Sequence, residues 1–418
     1  MIESIQTLAP QTAAWLNSAA LTKVFATLSA GGFEARAVGG AVRNSLSGRP
    51  ITDIDLATPA KPDQVMRLMR DANIAVYPTG IDHGTVTVTI DGHAFEVTTL
   101  RRDVATDGRR AVVAFTDNWR EDSERRDFTI NALYLDQHFR IHDFHGGLDD
   151  LTNGRVRFIG DARARIREDY LRILRFFRFT AEYGRGVADG EALAACKDLR
   201  AGIAQLSSER VGAELLKFMA APQPSALCQI MDDTGISDLI FGTKTYSSRL
   251  AKLEEIEKAH ALQADPLLRL AVLALAEGDN GGVLTSRLRL SNEHSTALYS
   301  AQRGVDAAFL DPQQCKSTLY RCGTSAFQKA ALAAWARSDD KANDATRSQI
   351  LALSANWIAP QMPFSGADVL ALGVTPGPAV GRILTGFEQW WIAEDFPANE
   401  LRNRRKLRDI AAANSQIS

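Results

Sequence analysis

"RPITDIDLAT", residues 49–58, places Asp53 and Asp55 two positions apart in a run that otherwise has the composition of a β-strand. Alternate strand residues share a face, so two carboxylates there crowd and repel. A divalent cation between them removes the conflict. The segment therefore predicts a strand that presents a metal-binding acid pair.

The surroundings support an α/β reading. "FEARAVGG" is a strand running into Gly39-Gly40, and "AVRNSLSG" is a short helix. "KPDQVMRLMRDAN" is a second helix. "HGTVTVTI" and "HAFEVTTL" are β-branched runs joined by Asp91-Gly92, a strong hairpin signal. A glycine turn opening a helix leaves backbone N–H groups free for phosphate, although many such pairs are only tight turns. Arg43, one turn on, can reach the same phosphates. Glu96, on "FEVTTL", is a third carboxylate near the acid pair. Together the acids suit Mg²⁺, which takes one or two carboxylates plus substrate phosphates.

"ERRDFTINAL" brings Arg125, Arg126 and Asp127 to a predicted helix start, with Asn131 one turn later. The guanidinium fork matches phosphate oxygens. Asp127 can accept from a ribose hydroxyl or simply cap the helix. "EDYLR" supplies Glu168, Asp169 and Arg172. On a helix Asp169 and Arg172 share a face, and Glu168 at i, i+4 can hold the guanidinium. Cytosine and adenine both show an amino donor beside a ring-nitrogen acceptor. An acceptor-only Asp and a donor-only Arg fit that pair and mismatch uracil and guanine. Arg175, one turn further, can add a donor.

"GGAVRNSLSG…TDIDLAT", "HGTVTV…FEVTTLR", "ERRDFTINAL" and "REDYLRILRFFRF" occur in this order. Together they resemble the class II tRNA nucleotidyltransferases and the related bacterial poly(A) polymerases over roughly residues 24–235. The resemblance implies an α/β, polymerase-β-like head followed by all-α neck, body and tail domains. It matches Asp53 and Asp55 to the family's metal pair, and Gly39, Gly40 and Arg43 to its phosphate-facing turn. Arg126 and Asp127 match its nucleotide and ribose contacts. Glu168, Asp169 and Arg172 match its amino-acid template for CTP and ATP. Asn44 departs from the family's usual Asp after Val-Arg. The polar run 101–122 resembles the family's flexible loop, and "SSERVGAELLKF" its neck-bracing helix. "RIHDFHGGLDDL" looks like its head–neck hinge, which sets aside a metal cluster of His142, Asp143 and His145.

The bulk properties agree. The chain has 418 residues and a formal charge of −2. That length predicts several domains, here 1–145 head, 146–225 neck, 226–355 body and 356–418 tail. From about residue 160 apolar spacing is helical throughout. Basic stripes run from Arg155 to Arg185 and over Arg402, Arg404, Arg405, Lys406 and Arg408, where they can meet RNA phosphates or face solvent. Four cysteines lack metal or disulfide spacing, which suits a reducing compartment. "MIESIQTLAPQTAAWLNSAALTKVFATLSAGG" reads as an amphipathic helix ending at Gly31-Gly32, not a signal peptide. No apolar run has membrane-span length, so no membrane partner and a cytoplasmic location are expected. The expected activity is addition of C, C and A to tRNA 3′ ends from CTP and ATP, with Mg²⁺ as cofactor. Intact EDxxR and the lack of a long basic C-terminal extension favour it over poly(A) or A-only synthesis. A catalytically silent RNA-binding protein is a third reading, opposed by the acid pair.

Overall fold

The structure, a computed structural model, describes residues 3–107, 110–185, 187–302 and 311–415. The chain forms two compact units, Met1–Lys244 and Thr245–Ser418.

The first unit is built on a mixed eight-stranded sheet. Its strands are β1 (Ser4–Thr7), β2 (Arg36–Val38), β3 (Ile54–Thr58), β4 (Ala75–Gly80), β5 (Thr85–Ile90) and β6 (His93–Thr99), with β9 (Leu133–Asp136) and β10 (Arg140–Asp143). Between them β7 (Arg101–Asp107) and β8 (Arg110–Phe115) form a separate hairpin. The sheet order is β1-β10-β9-β2-β3-β6-β5-β4. Among the described residues only β3 and β6 pair in parallel, with Asp55 opposite Glu96. Asp91 and Gly92 both have positive φ, as the predicted β5–β6 turn requires.

Strand β5, "TVTVTI", buries Val86, Val88 and Ile90 on one face. They pack with Leu56 and Leu135 against helices α1 (Ala19–Ala30), through Leu21, Val24 and Leu28, and α3 (Pro62–Asp71), through Val65 and Met69. Each such fully buried side chain contributes roughly 1.5–3 kcal/mol. This core fixes β2 and β3 at mid-sheet. Edge strand β4 contains Pro78 and an irregular register between Tyr77 and Gly80.

Three local expectations are corrected. Residues 1–32 are not one helix: β1 and a 3₁₀ turn (Pro10–Asn17) precede α1, which Ser18 caps. β1 is found by its ladder with β10, a long-range contact that local periodicity does not carry. The 101–122 segment contains β7 and β8 and then α4 (Trp119–Glu124), while its Gly108 and Arg109 lie outside the described residues. "RRDFTINAL" does not open a long helix. It makes a 3₁₀ turn (Thr129–Asn131) and enters β9.

Among the described residues no strand follows β10. Helix α2 (Gly40–Leu46) follows the glycine turn, and α5 (Gly147–Thr152) follows β10. Asp143 organises that junction: one carboxylate oxygen accepts from the N–H of His145, Gly146 and Gly147, the other from Leu148. Next come α6 (Ala162–Glu168), α7 (Leu171–Tyr183), α8 (Gly190–Leu199) and α9 (Ser208–Met219). Ile173, Leu174, Phe176 and Phe177 of α7 are buried, and Arg178 ties α7 to Glu214 of α9 at 2.5 Å. Most arginines of the 155–185 stripe are engaged. Arg157 pairs with Asp150, Arg163 with Asp198, and Arg178 with Glu214.

The second unit is helical over its described residues. A buried Glu257–Arg269 pair (2.6 Å) crosslinks Ser247–Ala259 to Pro266–Ala274. Trp391, Phe387, Ile383 and Leu407 form a core that joins Pro378–Ala393 to Glu400–Ser415. Trp390 packs at its edge.

A Cβ at Gly147 would stand 2.2 Å from the Thr129 carbonyl oxygen, whereas one at Gly190 meets nothing within 4 Å. Gly147→Ala is expected to lower unfolding stability by about 1–3 kcal/mol, and Gly190→Ala to leave it nearly unchanged. Denaturant titration of the two variants checks this pair.

Candidate active site

β2 delivers the chain to the glycine turn. Gly39 has φ of 71° and Gly40 starts α2. That backbone conformation selects glycine. The turn opens onto a cleft of about 410 Å³ between the sheet and α7. Five arginines line it, Arg43, Arg126, Arg172, Arg175 and Arg210, with three acids, Asp55, Asp127 and Asp169. Gly39, Gly40 and Asn131 complete most of the wall.

Asp55 is the acid that reaches the cleft. Burial pushes its carboxyl up, and the charges of Glu96 and Asp53 push it further, against Arg126. The three acids expected from the sequence thus feel one another. Asp53 is exposed, lies just before β3 and accepts from the Thr52 hydroxyl (3.0 Å). Asp53 thus lies one residue before the β3 ladder, which begins at Ile54. Glu96 is exposed beside Asp55. Among the described residues, no three acids, histidines or cysteines close into a metal cage on their own. An uncompensated carboxylate cluster open on one side still fits a hard cation that takes its remaining oxygens from phosphate.

Asp127 is spoken for within the fold. Oδ1 accepts from the Phe128 N–H and from Asn131 Nδ2, both at 2.9 Å. Oδ2 accepts from Arg175 Nε and Nη2, at 2.7 and 2.6 Å. Burial alone would raise this carboxyl, but Arg175 and the Asn131 amide outweigh it and hold it below the usual range. Asn131 Oδ1 in turn accepts from Arg43. An ionised carboxylate offers about four acceptor sites, and four protein donors occupy them here, so a ribose hydroxyl reaches Asp127 only by displacing or sharing one of these bonds.

The "EDYLR" expectation is half corrected. The helix breaks: α6 ends at Glu168, and Asp169 is extended, with φ −157° and ψ 106°. Its Oδ1 accepts from the Leu171 N–H (3.1 Å), the local bond by which Asp competes with a helix. Gly202 leaves room for the Tyr170 ring, which lies 2.0 Å from where a Cβ would be. Asp169 and Arg172 nevertheless line the same cleft. Glu168 does not line it. Instead it holds Arg172 Nη1 at 2.5 Å and Arg165 at 3.0 Å. Arg210 of α9 grips Asp169 Oδ2 at 2.6 Å. The sequence reading placed Arg210 only in a bracing helix; nothing local to "SSERVGAELL" announces its partner.

Asp122 was missed in the sequence. It is 1 % exposed. It accepts from Arg125 Nε, Arg126 Nη2, the Tyr134 hydroxyl and the Arg101 N–H. Burial raises its carboxyl, but Arg126 and Arg125 outweigh that and hold it down at about 2. Asp122 thereby fixes Arg126 and joins it to the first residue of β7.

A sheet that ends in a glycine turn and an acidic strand, facing a helix rich in arginine, defines a nucleotidyltransferase head. Comparison with known proteins agrees. Residues 35–157 match the model of the poly(A) polymerase head domain, and residues 189–243 that of the probable RNA and SrmB-binding site of polymerase A. The mitochondrial CCA tRNA nucleotidyltransferase 1 of Danio rerio is 33% identical over 379 residues, covering 86% of this chain and 83% of the relative. The human protein of that name is 34% identical, covering 86% and 82%. The CCA-adding enzyme of Geobacillus thermodenitrificans is 40% identical over 50% of this chain and 52% of its own. The Bacillus stearothermophilus CCA-adding enzyme, solved in complex with CTP, shares the fold with a TM-score of 0.73 at 24% identity, over 98% of this chain and 100% of that one. The chain belongs to the family of CCA-adding enzymes and poly(A) polymerases, which are metal-dependent RNA nucleotidyltransferases.

Because the folded Asp122 titrates below its ordinary 3.8, the stability it adds is complete above about pH 4 and is lost as pH falls toward 2. Asp122→Asn is expected to cost roughly 2 kcal/mol at neutral pH. The gap to the unsubstituted protein should shrink by about half at pH 3. Denaturant unfolding at both pH values measures it.

Proposed function

We propose that this chain adds C, C and A to the 3′ end of tRNA from CTP and ATP, without a nucleic-acid template. The observation that carries the reading is one cleft lined by an acid of the central strand β3, by phosphate-type arginines and by Asp169 and Arg172. In this reading the tRNA 3′-hydroxyl attacks the nucleotide α-phosphorus. A new P–O bond forms, the bond to the β-phosphate bridging oxygen breaks, pyrophosphate leaves with that electron pair, and the hydroxyl proton passes to solvent. Asp53 and Asp55, aided by Glu96, would hold Mg²⁺, which lowers the hydroxyl pKa and neutralises the departing charge.

The remaining work falls to the chain itself. The Gly39-Gly40 backbone and Arg126 receive phosphate oxygens, and Arg43, seated behind the turn, keeps Asn131 and Asp127 in register. Asp127 accepts from the ribose in place of one of the protein donors it holds here. Asp169 keeps acceptor lone pairs beyond those used by Arg210 and Leu171, and Arg172 keeps Nε and one Nη2 hydrogen after Nη1 is given to Glu168 and the Arg165 carbonyl and Nη2 to the Arg125 carbonyl. That leaves both acceptor and donor capacity for a cytosine or adenine edge. Arg175, which gives Nε and Nη2 to Asp127, orders the ribose acid and keeps Nη1 as a further donor toward the base. We divide the chain into head 1–145, neck 146–225, body 226–355 and tail 356–418, the tail for tRNA. Cytoplasm is the proposed location. Because the animal relatives are named mitochondrial, cell fractionation against an organelle marker is the check.

The test is a tRNA transcript lacking its last three residues, with Mg²⁺ and one labelled nucleotide per tube. Two C additions from CTP alone, then one A once ATP is present, are expected. A long ladder from ATP with CTP ignored overturns the reading in favour of poly(A) synthesis. Asp55→Ala should cut incorporation by about 10³-fold or more, since a catalytic metal supplies several kcal/mol. Asp169→Ala should erode preference for CTP and ATP over UTP and GTP by about 10²-fold, with tRNA affinity retained.

A further inference from the structure

Tyr183, the last residue of α7, is gripped by the segment that runs from the glycine turn toward the acids. Its hydroxyl donates to Asn44 Oδ1 at 2.7 Å. The Arg43 and Arg49 guanidinium carbons lie 4.4 and 4.8 Å from its ring centre. Arg49 also donates to the Glu182 carbonyl. Asn44 Nδ2 donates in turn to the Pro50 carbonyl at 2.8 Å, three residues before Asp53. The amide at 44 is suited to this double duty. A carboxylate there can accept from Tyr183 but has no proton for Pro50.

The other half of α7 carries Arg172 and Arg175. A helix from Leu171 to Tyr183 is a rod of about 18 Å. One end is fixed at the base-reading wall by Arg172, Glu168 and the Asp127–Arg175 pair. The other end is fixed at the phosphate turn by Tyr183. Arg43 links the two, since it also lies 4.9 Å from the Phe179 ring and donates to Asn131.

We propose that Asn44 and Tyr183 form a latch that sets the spacing between base readout and the reacting phosphate. They are positioning residues for nucleotide addition, and the inference rests on the function proposed above. The latch holds the glycine turn and the approach to Asp53 at a fixed place along α7. A base seated on Asp169 and Arg172 then brings its α-phosphorus into line with the acids. Loosening the latch leaves base and ribose contacts intact but spreads the phosphate over several positions. That lowers turnover without weakening nucleotide binding.

The test uses the full chain, the truncated tRNA transcript and CTP, with Tyr183→Phe, Asn44→Ala and the double variant. Tyr183→Phe keeps the ring between the two arginines and removes only the hydroxyl bond. Each single variant should lower kcat about tenfold, with KM for CTP within about twofold of the unsubstituted protein. The double variant should be within about twofold of Asn44→Ala, as expected if Tyr183 acts through Asn44, which also holds Pro50 and Arg43. Use of CTP over UTP should stay unchanged. Unchanged kcat, additive losses, a rise in KM in place of a fall in kcat, or a loss matched by the unfolded fraction seen by circular dichroism overturns the latch. Unsubstituted protein that fails to add C, C and A would instead overturn the functional reading.

Discussion

The ion pair between Asp127 and Arg175 is the bond on which the cleft depends. It joins the turn before β9 to α7, so it joins the sheet to the helices. Asp127 is buried and Arg175 is half-buried at the cleft wall, and each loses hydration there. Such a pair is retained only if both ends are well satisfied, because an unpaired buried charge costs several kcal/mol. Here Asn131 and the Phe128 N–H supply the missing bonds on the acid side. The neighbouring pairs follow from it. Once α7 is placed, Arg172 falls beside Glu168, Arg178 beside Glu214, and Tyr183 beside Asn44.

Much of this was legible in the sequence, and the reasons are local. The β5–β6 hairpin was readable because Asp91-Gly92 and the β-branched alternation act over a few residues. The helices after residue 160 were readable from their apolar spacing. Asp55, Arg126, Asp127, Asp169 and Arg172 were singled out by residue type and order, and the fold collects all five in one cleft. What escaped depends on partners far away in the chain. β1 exists because it pairs with β10, more than a hundred residues later. Asp122 looked like one acid among several in a polar loop, and its role comes from Tyr134 and Arg126 closing on it.

The failure at "EDYLR" is instructive in a different way. The i, i+4 rule correctly paired Glu168 with Arg172 even though the helix between them is broken. The break turns Asp169 toward Arg210 and the cleft, where an unbroken helix would have fixed it relative to Arg172 alone. Helical spacing identified the right residues and the wrong backbone, because a short Asp side chain can bond its own chain more cheaply than the helix can. Several charges of the basic stripe also find partners that local sequence does not show. Arg157, Arg163 and Arg178 are matched by acids from other elements, and of these three Arg178 is buried.

The sheet's far edge has a quieter meaning. β4 ends the order with Pro78 and a register irregularity between Tyr77 and Gly80. Proline offers no N–H, and an irregular rim twists away from any strand laid alongside it. A neighbouring copy therefore finds no continuous ladder to extend, and runaway strand-to-strand stacking has nowhere to start. At the opposite edge β1 is only four residues long. A sheet this wide, which carries a long row of hydrogen-bonding groups, is closed to growth at both margins, and the chain can crowd with its own kind without templating a fibre.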